Sequence, residues 1–207
     1  MDASFGAAKL KLPESETLVK TLYDSLNETQ RGNICFDFDH RLRSEIDNNW
    51  FIVKDHRVGK SFSKDQQAMI REIFMKMHSE EYAERVMRQV ESDSGRGGFG
   101  DCSIAIFGEP KTGKFEFVLT GRHTTRRCDG DSVKGAAFGG PIFYGHAAGT
   151  FDEKPHHPGN AYWFQAKRAN EVFQMMDGRQ RELALLEWSR DEQGKKTVQL
   201  TGKREGL

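Results

Sequence analysis

Residues 115–128 read Phe-Glu-Phe-Val-Leu-Thr-Gly-Arg-His-Thr-Thr-Arg-Arg-Cys, and this stretch decides the fold. Successive strand residues face opposite ways. Phe115, Phe117, Leu119, Gly121, His123 and Thr125 therefore share one face, and Glu116, Val118, Thr120, Arg122, Thr124, Arg126 and Cys128 the other. The spacing predicts one long strand with an inward apolar face that carries His123. Upstream, Cys102–Phe107 is a short apolar strand and 108–114 a turn. Downstream, Asp129-Gly130 is the signature of a tight hairpin, Ser132–Phe138 returns, Gly139-Gly140-Pro141 breaks the run, and 142–145 adds a short strand. An antiparallel β-meander over 102–145 follows.

Helices flank this meander. An apolar residue, a cap residue and a Gln three positions later recur at Leu26-Asn27 with Gln30, Phe62-Ser63 with Gln66, and Met176-Asp177 with Gln180. That is the capping box, so helices should start near 27, 63 and 177. Ser79, followed by Glu80 and Glu81, should open a helix over 80–90. Ser15 is placed to cap a helix over 16–26. Four-residue apolar spacing marks 16–26, 66–77 and 162–176, stripes that normally face a core. Ser92 to Gly100, rich in glycine, reads as a flexible loop. The class is α+β: an N-terminal extension over 1–14, then one domain over 15–207, helical at 15–91 and 160–190 around the meander. A last short strand is expected at 197–201.

Composition limits the function. The 207 residues carry 31 basic and 31 acidic side chains, without the basic surplus a nucleic-acid binder uses. Mean hydropathy is −0.71 and no 18-residue apolar run exists, which excludes an apolar membrane-spanning helix. Fifteen Phe, three Trp and four Tyr argue against disorder. Three cysteines without a CxxC pair do not make a disulfide framework, and the first residues lack a signal-peptide core. The chain as written is expected in the cytoplasm, or outside it if a signal peptide has been removed.

Several stretches could carry chemistry. Gly108 to Lys114 spells GxxxxGK, yet Phe115 stands where Ser or Thr should hold magnesium, and a strand follows where a helix should. It reads as a hairpin turn. His123 on the strand, His146 after the last strand, and His156-His157 ten residues on could converge through the hairpin and its returning loop. Three imidazoles with an open position suit zinc, copper or iron, and His157 is preferred because Pro158-Gly159 leads into a helix. Cys128 falls on the opposite face from His123 and is not counted as a fourth ligand. Arg122, Arg126 and Arg127 with Lys134 form either an anion-binding set or a solvated sheet face paired with Glu116 and Asp131. Glu109 at a strand end is a candidate acid/base or a ligand-orienting group. Asp37, Asp39 and His40 alternate with Phe as polar surface residues.

The order of the Gln-Arg helix starts, IFGEP (106–110), GRH (121–123), FGGPIFYGH (138–146) and MMDGRQRELALL (175–186) resembles a bacterial family known as domain of unknown function 3500. The resemblance covers roughly residues 15–190. That family commonly carries Gly-His-His where this chain has Gly121-Arg122-His123, so only the second histidine is kept. The resemblance implies a fold and a histidine-bearing pocket but no reaction. Family members run longer, which makes this chain read as truncated at its C-terminus.

The expectation is a metal-dependent enzyme, an oxidoreductase or hydrolase. His123, His146 and His157 would hold the transition metal, Glu109 would serve proton transfer, and Arg122 or Arg126 would orient an anionic substrate. The alternative is a non-catalytic binding or assembly module. Its Phe- and Met-rich helical surface would dock a missing C-terminal segment, a second copy or another chain.

Overall fold

A hairpin forms the centre of the fold. In the computed structural model, which describes residues 14–47, 49–112, 114–130, 142–145, 154, 157 and 160–185, β2 (Ser103–Gly108) pairs antiparallel with β3 (Phe115–Gly121), from Ser103 opposite Thr120 to Gly108 opposite Phe115. Gly108 has φ 71°, and a Cβ there would lie 2.2 Å from the Lys114 carbonyl oxygen, so the turn demands glycine. A strand follows Lys114, as the hairpin reading of GxxxxGK requires.

The long strand expected over 115–128 is two strands. β3 ends at Gly121, Arg122-His123 make a two-residue turn with His123 at φ 54°, and β4 (Thr124–Gly130) runs back along β3. Directly opposed residues point to the same side of a sheet, so the turn reverses the expected faces. Leu119 faces Arg126 and Phe117 faces Cys128, placing both on the apolar side, while Arg127 joins Val118 and Glu116 on the other. Arg126 is 1% exposed and not on a solvated face. Asp129-Gly130 is not a hairpin turn; both residues lie within β4.

β5 (Ile142–Tyr144) adds antiparallel to β4, and β1 (Cys35–Phe36) pairs parallel to β2. The order is β1-β2-β3-β4-β5. The fold is α+β, but its sheet is mixed and not a purely antiparallel meander. The parallel edge arises because the 66 residues of helix and loop over 37–102 separate β1 from β2, enough for a crossover connection.

Helices α1 (Glu14–Ser25), α2 (Glu28–Ile34), α3 (Val58–Ser61), α4 (Lys64–Lys76) and α5 (Glu80–Asp93) precede β2. Val19, Leu22, Ile70, Ile73, Phe74, Val86 and Met87 pack with Ile104, Ile106, Phe115, Phe117 and Leu119 in one core. Burying each such side chain contributes about 1.5–3 kcal/mol. On the opposite side Ile52 packs with Ala105, Phe107 and Val118, flanked by Trp50 and Leu42. A buried ion network joins that side: Arg127 lies 2.8 Å and Arg43 3.1 Å from Glu116.

All three capping boxes form, at Asn27–Gln30, Ser63–Gln66 and Asp177–Gln180. Two also join: the Gln30 and Gln66 amides donate to each other at 2.8 and 3.1 Å, and Gln66 donates to the Ser25 carbonyl at 3.0 Å. Ser79 occupies its cap position without a side-chain cap bond. The expected loop from Ser92 is ordered otherwise, since α5 continues to Asp93 and a 3-10 segment spans Gly95–Asp101. After β5 come α6 (Trp163–Met175) and α7 (Gly178–Ala184). The α6 stripe expected in the core is not there: neither helix has a buried residue among those described, and Val172, Met175 and Leu183 are exposed. The expected N-terminal extension up to residue 13 and the strands at 132–138 and 197–201 lie outside the described residues.

Candidate functional site

The far end of α5 meets the β3–β4 turn and the end of β5. Gln89 and Asp93 stand four residues apart on α5, hence on one helix face. The Gln89 amide donates to the Gly145 carbonyl, and its oxygen accepts from the Ala161 N–H at 3.0 Å. Gly145 in turn donates its N–H to the His123 carbonyl at 2.9 Å. Arg122, exposed, donates from Nη1 to the Asp93 carbonyl at 3.1 Å. These bonds tie the His123 turn, the end of β5 and the approach to α6 onto one helix.

Two buried groups meet there. The Asp93 carboxylate stands 3.4 Å from His123 Nδ1, with both side chains almost wholly buried. A carboxylate against Nδ1 orients the imidazole and leaves Nε2 facing away, the arrangement of both catalytic and metal-ligating histidines. Gly121 keeps the turn tight, since a Cβ there would lie 2.9 Å from the buried Cys102 Sγ.

Arg126 lies on the same side of the sheet. Its Nε donates to His78 Nε2 at 3.0 Å, and its Nη1 to the Thr124 hydroxyl, the Thr125 carbonyl and the Phe143 carbonyl at 3.1–3.3 Å. The guanidinium carbon lies 5.2 Å from the Phe74 ring centre. Nη2 is buried without a hydrogen-bond partner among the described residues. His78 Nδ1 lies 2.7 Å from the Phe74 carbonyl, so that nitrogen carries the proton and Nε2 offers its lone pair to Arg126. Burial, then the Arg126 charge, pushes His78 down to about 4. Burial lowers Arg126 to about 10, so it stays cationic at neutral pH. Burial raises the Cys102 and Cys128 thiols to about 12, which keeps both as thiols. Cys35, Cys102 and Cys128 are all free of disulfides.

Tyr144 and Tyr162 meet at 4.1 Å between ring centres, tilted by 35°, and Tyr82 stacks on Tyr162 at 5.8 Å. Burial raises the pKa of both Tyr144 and Tyr162. The two rings line a cavity of about 390 Å³ with Gln89, Asn160, Trp163, Ala166 and Ala169. A larger cavity of about 480 Å³ lies beside Phe99 and Arg71, where Glu91 already neutralises the arginine at 2.8 Å.

Of the residues expected from the sequence, Arg122, His123 and Arg126 come to this end of the molecule. Glu109 does not. It sits exposed in the β2–β3 turn, at the opposite end of β3 and roughly 20 Å away at strand rise. His157 is exposed in a turn, its N–H donating to the Lys154 carbonyl at 2.9 Å, whereas His123 is buried. His146, His156 and Lys134 lie outside the described residues. Among the described residues no group of three or more His, Cys, Asp or Glu is placed to hold a metal. Asp93 and His78 escaped the sequence reading. A signal for Asp93 existed, because it and Gln89 interrupt the helical stripe of Ala83, Val86 and Val90.

Comparison with known proteins places the chain in one family. The family described as "Protein of unknown function (DUF3500)" matches residues 11–205, nearly the whole chain, and the chain belongs to it. No curated protein and no solved structure matches. Among the described residues no helix is long and apolar enough to cross a membrane.

Proposed function

For this member of the DUF3500 family, we propose an enzyme whose reacting group is His123, held by Asp93, with Arg126 supplying fixed positive charge on the same side of the sheet. The observation that carries this is the burial of all three ionisable side chains, at 3% exposure or less, where the end of α5 and the β3–β4 turn meet a sheet face rich in Phe, Leu and Ile. Burying such groups costs several kcal/mol, about what active sites tolerate to set the protonation of working residues. With Asp93 against Nδ1, His123 acts through Nε2 as acid and base, and the carboxylate stabilises the imidazolium that forms.

A second reading rests on the same contact. Carboxylate-backed imidazoles are how proteins hold transition metals, so His123 Nε2 would ligate zinc, copper or iron, with His146 as a further donor. The metal would polarise a substrate carbonyl or lower the pKa of a bound water. The binding-module alternative draws on Val172, Met175, Leu183 and Leu185, which are exposed on or beside α6 and α7.

One set of measurements separates these. Wild type, His123→Ala and Asp93→Asn are compared on a panel of ester, amide and oxidisable substrates, with elemental analysis of each protein. Loss of an activity by about 10²–10⁴-fold in folded His123→Ala supports the enzyme. About one equivalent of metal, lost with His123, assigns the metal reading. Activity that survives His123→Ala undiminished, or no activity beside concentration-dependent association through α6, refutes it.

A further inference from the structure

Arg126 is a buried cation whose hydrogen bonds all go to uncharged acceptors. Nε and Nη1 are saturated by His78, Thr124, Thr125 and Phe143, while Nη2 is buried without a partner among the described residues. The groups that bear most on its charge are Tyr162, Cys128, Cys102 and Tyr144, phenols and thiols that are neutral at pH 7. His78 adds no charge, because its two partners fix the neutral form. An unpaired buried guanidinium costs free energy that an entering anion restores.

We infer that Arg126 and Tyr162 form the binding site for a carboxylate on a ring-sized small molecule, the carboxylate meeting Nη2 and the body entering the cavity beside Tyr144 and Trp163. This rests on the proposed enzyme site and names its substrate class. Arg126 Nη1 bonds the Thr124 hydroxyl, Tyr144 stands directly opposite Thr124 on the same sheet face, and its ring lies 4.1 Å from that of Tyr162; both rings line the 390 Å³ cavity, which sets the charge next to the wall of that space. The Tyr144 hydroxyl donates to Gln165, which leaves Tyr162 as the second donor to the anion. Charge balance selects the class. Arg127 is on the other side of the sheet with Glu116, and Arg122 and Arg85, the latter over the Tyr82 ring, are exposed, so among the described residues Arg126 supplies the buried positive charge here. A carboxylate matches it, whereas a phosphate dianion leaves one charge uncompensated in a buried site. The cavity wall combines aromatic rings with Ala166 and Ala169, which suits a flat apolar body.

The test uses benzoate, neutral benzamide and inorganic phosphate as probes, followed by calorimetry and by amide chemical shifts on the full chain. Saturable one-to-one benzoate binding is expected, with benzamide and phosphate at least tenfold weaker. Arg126→Met should lower benzoate affinity tenfold or more, and Tyr162→Phe several-fold. His123→Ala should leave benzoate binding intact, so that failure of the reaction and failure of the carboxylate site give different results. Absence of saturable benzoate binding, equal binding of benzamide, tighter binding of phosphate, or undiminished affinity in folded Arg126→Met overturns the inference. If Arg126→Met does not fold, Tyr162→Phe decides, and unchanged affinity there overturns it.

Discussion

Lowering the pH from 7 to 4.5 will destabilise the protein through His78 in particular. In the folded chain His78 Nδ1 donates to the Phe74 carbonyl at 2.7 Å and Nε2 accepts from Arg126 at 3.0 Å, so a second proton has no room beside the guanidinium. Burial and that charge hold the group at about 4, against 6.5 ordinarily. The unfolded chain therefore takes up the proton first as the pH falls. The stability contributed by neutral His78 is complete above pH 6.5, declines below it, and is spent near pH 4. That gap, at 1.36 kcal/mol per pH unit, is worth about 3 kcal/mol, and solvent screening of a half-buried ring trims it to about 2. The assay is urea unfolding at intervals from pH 7.5 to 4 for wild type and His78→Gln, which keeps an acceptor for Arg126 but does not titrate in this range. Carboxylates titrate alike in both proteins, so the difference between the two curves isolates His78. Wild type should lose about 1–2 kcal/mol more than the variant between pH 6.5 and 4.5. Parallel curves, or a His78 ring resonance that titrates near 6.5, would refute the reasoning.

Three further outcomes follow from packing and pairing. Gln66→Ala removes a buried amide that caps α4 and bonds Gln30 and Ser25, and should cost about 1–3 kcal/mol by urea unfolding. A double-mutant cycle with Gln30→Ala should show coupling of about 0.5–3 kcal/mol. Gly121→Ala drives a Cβ against Cys102 Sγ and should cost about 1–3 kcal/mol, with shifted amide resonances at Arg122 and His123. Glu116→Ala strands Arg127, whose charged end is about nine-tenths buried, and should lower stability by about 3–5 kcal/mol, while Glu116→Ala with Arg127→Met recovers much of it.

The helix starts were legible because capping is local. Asn27, Ser63 and Asp177 each need only a Gln three residues ahead, and all three boxes form as spaced. The β2–β3 hairpin was legible for a similar reason, since Phe115 to Leu119 alternate and Gly108 meets a need for positive φ. The turn at Arg122-His123 was not. Neither residue is a turn former, alternation runs through it without a break, and Asp129-Gly130 offered a stronger signal at the wrong place. That single displacement moved Arg126 from an expected solvated face to the core side of the sheet and so hid the site. β1 was missed because two residues give no periodicity, and its pairing with β2 depends on a partner 71 positions away.

By itself the sequence determined the α+β class, the helix starts, the first hairpin and the family, because each is written in neighbouring residues or in their order along the chain. Tertiary structure alone decided that Asp93 faces His123, that His78 holds Arg126, and that Glu109 stands far from both. These contacts join residues 30 and 48 positions apart, and they form because a helix end, a strand turn and a loop bury their surfaces together. No local preference encodes such a meeting. Burial of the whole set does, and it gives these charges a low-dielectric setting in which they interact strongly.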